Sequence, residues 1–162
     1  MMSLLNYLRL MPISCPKKKQ NIINKENISF INKVVWTHDG EITFYASGRR
    51  KGQTNSIYPN PLKPRSERER LVECIDFSKW VKDTFSKDDY IVLKMDIEGA
   101  EYEVLTKMLS DQTLDYINIM YLECHYVRAN ATKEEFLALR QRIKNESSVD
   151  AKTAIEWIKW PK

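Results

Sequence analysis

Apolar positions along the chain alternate between short strand-like runs and helical stripes. Residues 27–36 gather Ile28, Phe30, Ile31, Val34, Val35 and Trp36, a β-branched and aromatic run that predicts a strand. Asp39-Gly40 carries hairpin-turn chemistry, so Glu41-Ile42-Thr43-Phe44-Tyr45 is expected as the returning strand. A short strand at residues 71–75 leads to Asp76, a helix-capping residue. Phe77, Trp80, Val81, Thr84 and Phe85 then fall on one helical face.

Residues 91–95 form an apolar run broken only by Lys94, the pattern of a strand buried on both faces of a parallel sheet. A helix over about residues 98–109 turns Val104, Leu105 and Met108 inward and sets Glu103 one turn from Lys107. Residues 116–124 read as another strand. Thr132 and Glu135 form a capping box for a helix carrying Phe136, Leu139 and Ile143, and residues 153–160 read as a last strand. Strand and helix alternate with short connections, which predicts an α/β fold with a largely parallel sheet.

Two stretches break this pattern. Residues 1–27 read as an atypical leader, a short apolar helix over Leu4, Leu5, Tyr7 and Leu8 followed by Pro12, Pro16 and three lysines; the domain itself is expected over residues 28–162. Residues 47–70 hold two glycines, three prolines and many basic side chains, long for a structureless connection and therefore expected to be a functional or mobile loop. Within it Gln53, Thr54, Asn55 and Ser56 offer donors and acceptors for a polar substrate, with Asn55 and Ser56 the substrate-binding candidates. The same residues are also ordinary turn formers.

Composition narrows the class. At 162 residues, 43% hydrophobic and 30% charged, the chain fits one globular domain. No run approaches the roughly 20 apolar residues of a membrane span, and Asn6 and Arg9 interrupt the only stretch resembling a signal peptide. Three widely spaced cysteines, Cys15, Cys74 and Cys124, point to reduced thiols and a cytoplasmic setting. Residues 1–70 carry thirteen Lys/Arg against five Asp/Glu, whereas residues 71–162 carry thirteen against seventeen. The basic runs read first as a solvated loop surface; no nucleic-acid motif accompanies them, so nucleic acid is an unlikely partner.

The chemistry concentrates where strands end. Asp96 and Glu98 follow the 91–95 strand, in the crevice where open α/β sheets keep their ligands. There a carboxylate can act as a base, orient a hydroxyl or hold a metal ion, or else simply cap and complement the next helix. Gly99 favours a functional turn, because glycine in a first helical turn costs about 1 kcal/mol. Glu123 and His125 end the neighbouring strand two residues apart and therefore share a face. A histidine beside carboxylates suits a general base, with Glu123 as its orienter. No ligand spacing argues for a metal.

Residues 93–101, Leu-Lys-Met-Asp-Ile-Glu-Gly-Ala-Glu, followed by Val104-Leu105, resemble the hallmark of the FkbM family of S-adenosylmethionine-dependent methyltransferases. The strand and turn around Val34 to Tyr45, Cys74-Ile75-Asp76-Phe77 and Leu122-Glu123-Cys124-His125 are similar to further parts of that family. The resemblance covers about residues 28–130. It implies a Rossmann-like class I methyltransferase sheet, S-adenosylmethionine as cofactor, and methyl transfer to a hydroxyl of a sugar or small molecule. Asp96 would then sit beside the methyl-transfer centre and border the cofactor with Glu98, while His125 and Glu123 stay the base and orienter read from their shared strand face.

One departure accompanies it. Such enzymes hold the cofactor on a glycine-rich turn after their first strand, where a side chain would block close approach. The four glycines here are Gly40, Gly48, Gly52 and Gly99. The fold is therefore expected to be truncated at its N-terminus, with residues 1–10 covering the strand near Phe30 and Ile31 as an amphipathic helix, or a homodimer or second chain completing the pocket. The alternative functions are a catalytically inactive domain serving as a binding module, and a carbohydrate- or phosphate-binding module.

Overall fold

The computed structural model describes residues 5–10, 31–47, 55–59, 67–125 and 128–153. Among these the elements run β1 (Leu5–Leu10), β2 (Val34–Trp36), β3 (Gly40–Ser47), β4 (Glu67–Asp76), α1 (Phe77–Thr84), β5 (Tyr90–Met95), α2 (Glu101–Ser110), β6 (Ile119–Leu122), α3 (Lys133–Glu146) and β7 (Asp150–Thr153). The strands form a four-stranded sheet of order β1-β5-β6-β7 and a three-stranded sheet of order β2-β4-β3.

All pairings in the larger sheet are parallel, and their registers bring Leu10, Met95, Leu122 and Thr153 into one row. The carboxyl ends of four strands therefore open on a common rim. Beneath it, Ile91, Leu93 and Met95 of β5 are fully buried against a core that includes Val104, Leu105 and Met108 of α2 and Phe77 and Val81 of α1. Side chains of this size each contribute roughly 1.5–3 kcal/mol when fully buried. The opposite face of β5, with Val92 and Lys94, is only partly covered, so burial on both faces is incomplete.

Local signals place the helices well. Asp76 accepts the Lys79 amide and caps α1. Thr132 and Glu135 satisfy each other's backbone amides in the expected capping box at α3, whose Phe136, Leu139 and Ile143 are buried. β7 begins three residues before the expected last strand, and residues 154–160 lie outside the described residues.

The structure departs from the sequence pattern in several places. The apolar segment near the start is a strand, β1, parallel to β5, rather than a helix; six residues of mixed apolar spacing do not distinguish the two periods. It pairs with the site-bearing strand, not with the region of Phe30 and Ile31; Phe30 lies outside the described residues, and Ile31 is exposed and outside any strand. Asp39-Gly40 does not close a hairpin between β2 and β3. β4 lies between them, parallel to β2 and antiparallel to β3, and it extends back to Glu67 because Phe44 to Ser47 continue to pair with it. The strand expected from residue 116 starts at Ile119, after a short 3-10 helix at Thr113–Tyr116. Glu103 does not meet Lys107: it accepts the Tyr58 hydroxyl, while Lys107 pairs with Asp76 and Asp111.

Candidate active site

Asp96 leaves β5 and Glu123 leaves β6 side by side, since the Glu123 amide donates to the Met95 carbonyl at 3.0 Å. The helix expected from residue 98 starts only at Glu101. The intervening turn is unusual, with Glu98 at φ +57° and Gly99 at φ +114°. A left-handed conformation costs a non-glycine residue about 1 kcal/mol or more. At Gly99 a Cβ would also lie 3.0–3.1 Å from the backbone and Cβ of Arg128, so only glycine fits both the dihedral and the close approach.

Glu101 holds this turn together. It is fully buried, and its two carboxylate oxygens accept the amides of Ile97 and Gly99, each at 2.9 Å. The Ser56 hydroxyl donates to the Glu98 carbonyl from the other side and accepts the Tyr58 amide. Tyr45 and Ser56 exchange two backbone hydrogen bonds, which fasten residues 55–58 to β3. The turn is thus gripped at three consecutive residues, enough to maintain its strain.

Glu101 also reaches the second partner. The Nδ1 of His125 lies 3.0 Å from Glu101 Oε1. The opposite ring nitrogen, Nε2, lies 4.0 Å from Asp96 Oδ1, 3.9 Å from Glu98 Oε2 and 3.7 Å from Glu123 Oε1. Asp96 is further paired to Lys94 at 3.1 Å. One atom from each of Asp96, Glu98 and His125 lies within 4.8 Å of the others, so the three can share a proton or a positive charge. The His125 carbonyl accepts the amides of Arg128 and Ala129, which fixes the backbone beyond the ring.

The electrostatics follow from this crowding. Burial opposes charge on His125, but the hydrogen bond to Glu101 and the fields of Glu101, Glu98 and Asp96 outweigh it and raise the imidazole to about 9. The free protein therefore carries an imidazolium here at neutral pH. Burial also raises the Glu98 carboxyl above its ordinary range, with His125 pulling the other way. Cys124, beside His125, is pushed to about 12, chiefly by burial, which makes it an inert thiol. The described cysteines, Cys74 and Cys124, are both free.

Asp96, Glu98, Glu123 and His125, singled out from the sequence, thus meet at one rim. Glu123 does so with a half-exposed side chain and from just beyond β6, so it owes its proximity to the shared exit of the two strands rather than to strand alternation. Ser56 lies against the same turn, its hydroxyl engaged by the Glu98 carbonyl, and its neighbour Asn55 is also buried. Glu101 was missed. Its only sequence signal is an acidic residue after a glycine turn, which reads as ordinary helix-dipole complementation.

The carboxylates and the imidazole stand at the carboxyl ends of a parallel sheet, where α/β sheets keep their ligands. The sequence matches the family described as Methyltransferase FkbM domain over residues 6–148, and the chain belongs to that family. Membership makes it a methyltransferase in general terms and implies a methyl donor, typically S-adenosylmethionine. No curated protein and no solved structure gives a match. Among the described residues no helix is long and apolar enough to cross a membrane.

Proposed function

We propose that this chain methylates a hydroxyl on a sugar or other small polar molecule, using S-adenosylmethionine, at the rim formed by Asp96, Glu98, Glu123 and His125. The observation that carries this reading is the convergence of three carboxylates, those of Asp96, Glu98 and Glu123, on His125 Nε2 within 4.0 Å, at the carboxyl end of a parallel sheet. In this reading the four parallel strands are the central part of a Rossmann-like sheet. The free thiols accord with a cytoplasmic setting.

The donor set fits the cofactor in one respect. Asp96 and Glu98 already stabilise a positive charge on His125, and a cationic sulfur needs the same partners. When bound, the donor supplies a methyl group on positively charged sulfur, whose bond breaks with its electrons left on sulfur as the acceptor oxygen takes the methyl. Asp96 and Glu98 would hold that ligand. His125 would take the acceptor's hydroxyl proton at Nε2, with Glu123 orienting the acceptor from the exposed side. Asn55 would line the acceptor side, while Ser56 would act mainly by clamping Glu98.

The raised imidazole pKa sets a condition on this role, because an imidazolium cannot accept a proton. A second cation beside Asp96 and Glu98 disfavours the charge on His125 and brings its pKa down. Occupation of the rim would thereby turn His125 into a base. The test is production of S-adenosylhomocysteine from S-adenosylmethionine across a panel of sugars and polyols. Acceptor-dependent product that falls on the order of 100-fold in His125→Ala is expected. Product formed equally well by that variant, or none with any acceptor, would overturn the reading.

A further inference from the structure

We propose that Glu101 is the positioning residue for His125: it binds Nδ1–H and so reserves Nε2 as the nitrogen that exchanges the substrate's proton. This inference rests on the reading of His125 as the base. Its support is geometric. Glu101 is an acidic side chain with no exposed surface, placed on α2, whereas His125 follows β6; the contact therefore bridges two elements. Oε1 lies 3.0 Å from Nδ1, and both oxygens are anchored by the Ile97 and Gly99 amides.

A carboxylate can only accept hydrogen bonds, so the nitrogen facing Glu101 must carry hydrogen in both the charged and the neutral ring. When the ring loses a proton, it loses it from Nε2. That nitrogen faces Asp96, Glu98 and Glu123, on the open side of the rim. Without Glu101 the neutral ring could adopt the other tautomer and turn a hydrogen toward the acceptor. The same carboxylate sets Glu98 in its left-handed turn through the Ile97 and Gly99 amides, so one buried group fixes two sides of the site.

The charged groups bearing on the ring come from every neighbouring element. Lys94 and Asp96 lie on and after β5, Glu98 in the turn, Glu101 on α2, and Glu123 after β6; Arg128 acts through Glu98. Of these, Glu101 alone contacts Nδ1 among the described interactions. Its loss should therefore change the tautomer, which loss of the others should not.

The chain has two histidines, which makes the test direct. Nitrogen NMR of histidine-labelled full-length protein reports protonation and tautomer of His125, with exposed His38 as an internal reference. In the wild type, raising the pH through the His125 midpoint should leave the Nδ1–H tautomer. In Glu101→Gln the midpoint should fall by about one unit or more, the tautomers should mix, and His38 should be unchanged. In turnover, the acid limb of the pH profile should move down with that midpoint, and kcat should fall about tenfold or more with little change in the donor KM.

A neutral wild-type ring protonated at Nε2 would overturn the proposal, and this measurement does not depend on whether Glu101→Gln folds. So would an unchanged His125 tautomer and midpoint in a folded Glu101→Gln protein. Failure to methylate any acceptor would reject the functional reading alone, since the wild-type tautomer is observed without substrate.

Discussion

Asp76 and Asp96 make an instructive pair. Each ends a strand, each precedes a helix, and their side chains are almost equally covered, at 15% and 19% exposed. Asp76 is followed at once by α1, accepts the Lys79 amide and pairs with Lys107 of α2. Asp96 is separated from α2 by a left-handed turn, does not cap it, and faces His125 across the rim. Burial does not tell a helix-capping carboxylate from one that faces the rim. The distinction lies in the four residues between Asp96 and α2, which release Asp96 from capping while Glu101 satisfies the turn's amides from within the helix.

This contrast can be broken most sharply by exchanging charge for amide at each position. Asp96→Asn should lower methyl transfer by about 100-fold, equivalent to about 3 kcal/mol of barrier, while its urea-unfolding midpoint moves little. A large loss of stability with normal turnover would make Asp96 another Asp76.

The second effect concerns pH. His125 titrates at about 9 in the folded protein, against 6.5 when unperturbed. Because the folded-state value is raised, the stabilisation is fully present below about 6.5 and is lost as pH rises through about 9. The stability advantage of the wild type over His125→Gln should therefore shrink by about 3 kcal/mol across that window, as read by denaturation at fixed pH values. An advantage that grows with pH would mean that the carboxylates do not hold an imidazolium.

The smallest effect belongs to the structural partner. Asp76→Ala should cost about 1 kcal/mol of stability through loss of the α1 cap, with turnover nearly unchanged. Equal stability would show that neither the cap nor the Lys107 pair adds net stability.

Much of this was legible in sequence because it is local. The Asp76 cap, the Thr132–Glu135 box and the buried faces of α1 and α3 each depend on residues a few positions apart. The gathering of Asp96, Glu98, Glu123 and His125 was legible for another reason: a β-α-β passage sets consecutive parallel strands side by side. The misread parts depend on partners that local patterns do not specify. Asp39-Gly40 is a turn, but nothing in it says that β4 lies between β2 and β3. The extension of β4 through Glu67-Arg68-Glu69-Arg70 is polar and has no apolar alternation to reveal it. β1 has too few residues for its period to be decided. Glu101 was hidden because its three partners, Ile97, Gly99 and His125, converge only when β6 lies beside β5 and the turn adopts positive φ.

In the proposed reading, the Asp96 rim binds the methyl donor. Calorimetric titration of the wild-type protein, Asp96→Asn and Asp76→Ala with S-adenosylmethionine measures it most directly. Saturable binding in the wild type and in Asp76→Ala, weakened about tenfold or more in Asp96→Asn, is the predicted result. Absence of binding at millimolar donor, or equal affinity in all three proteins, would contradict it.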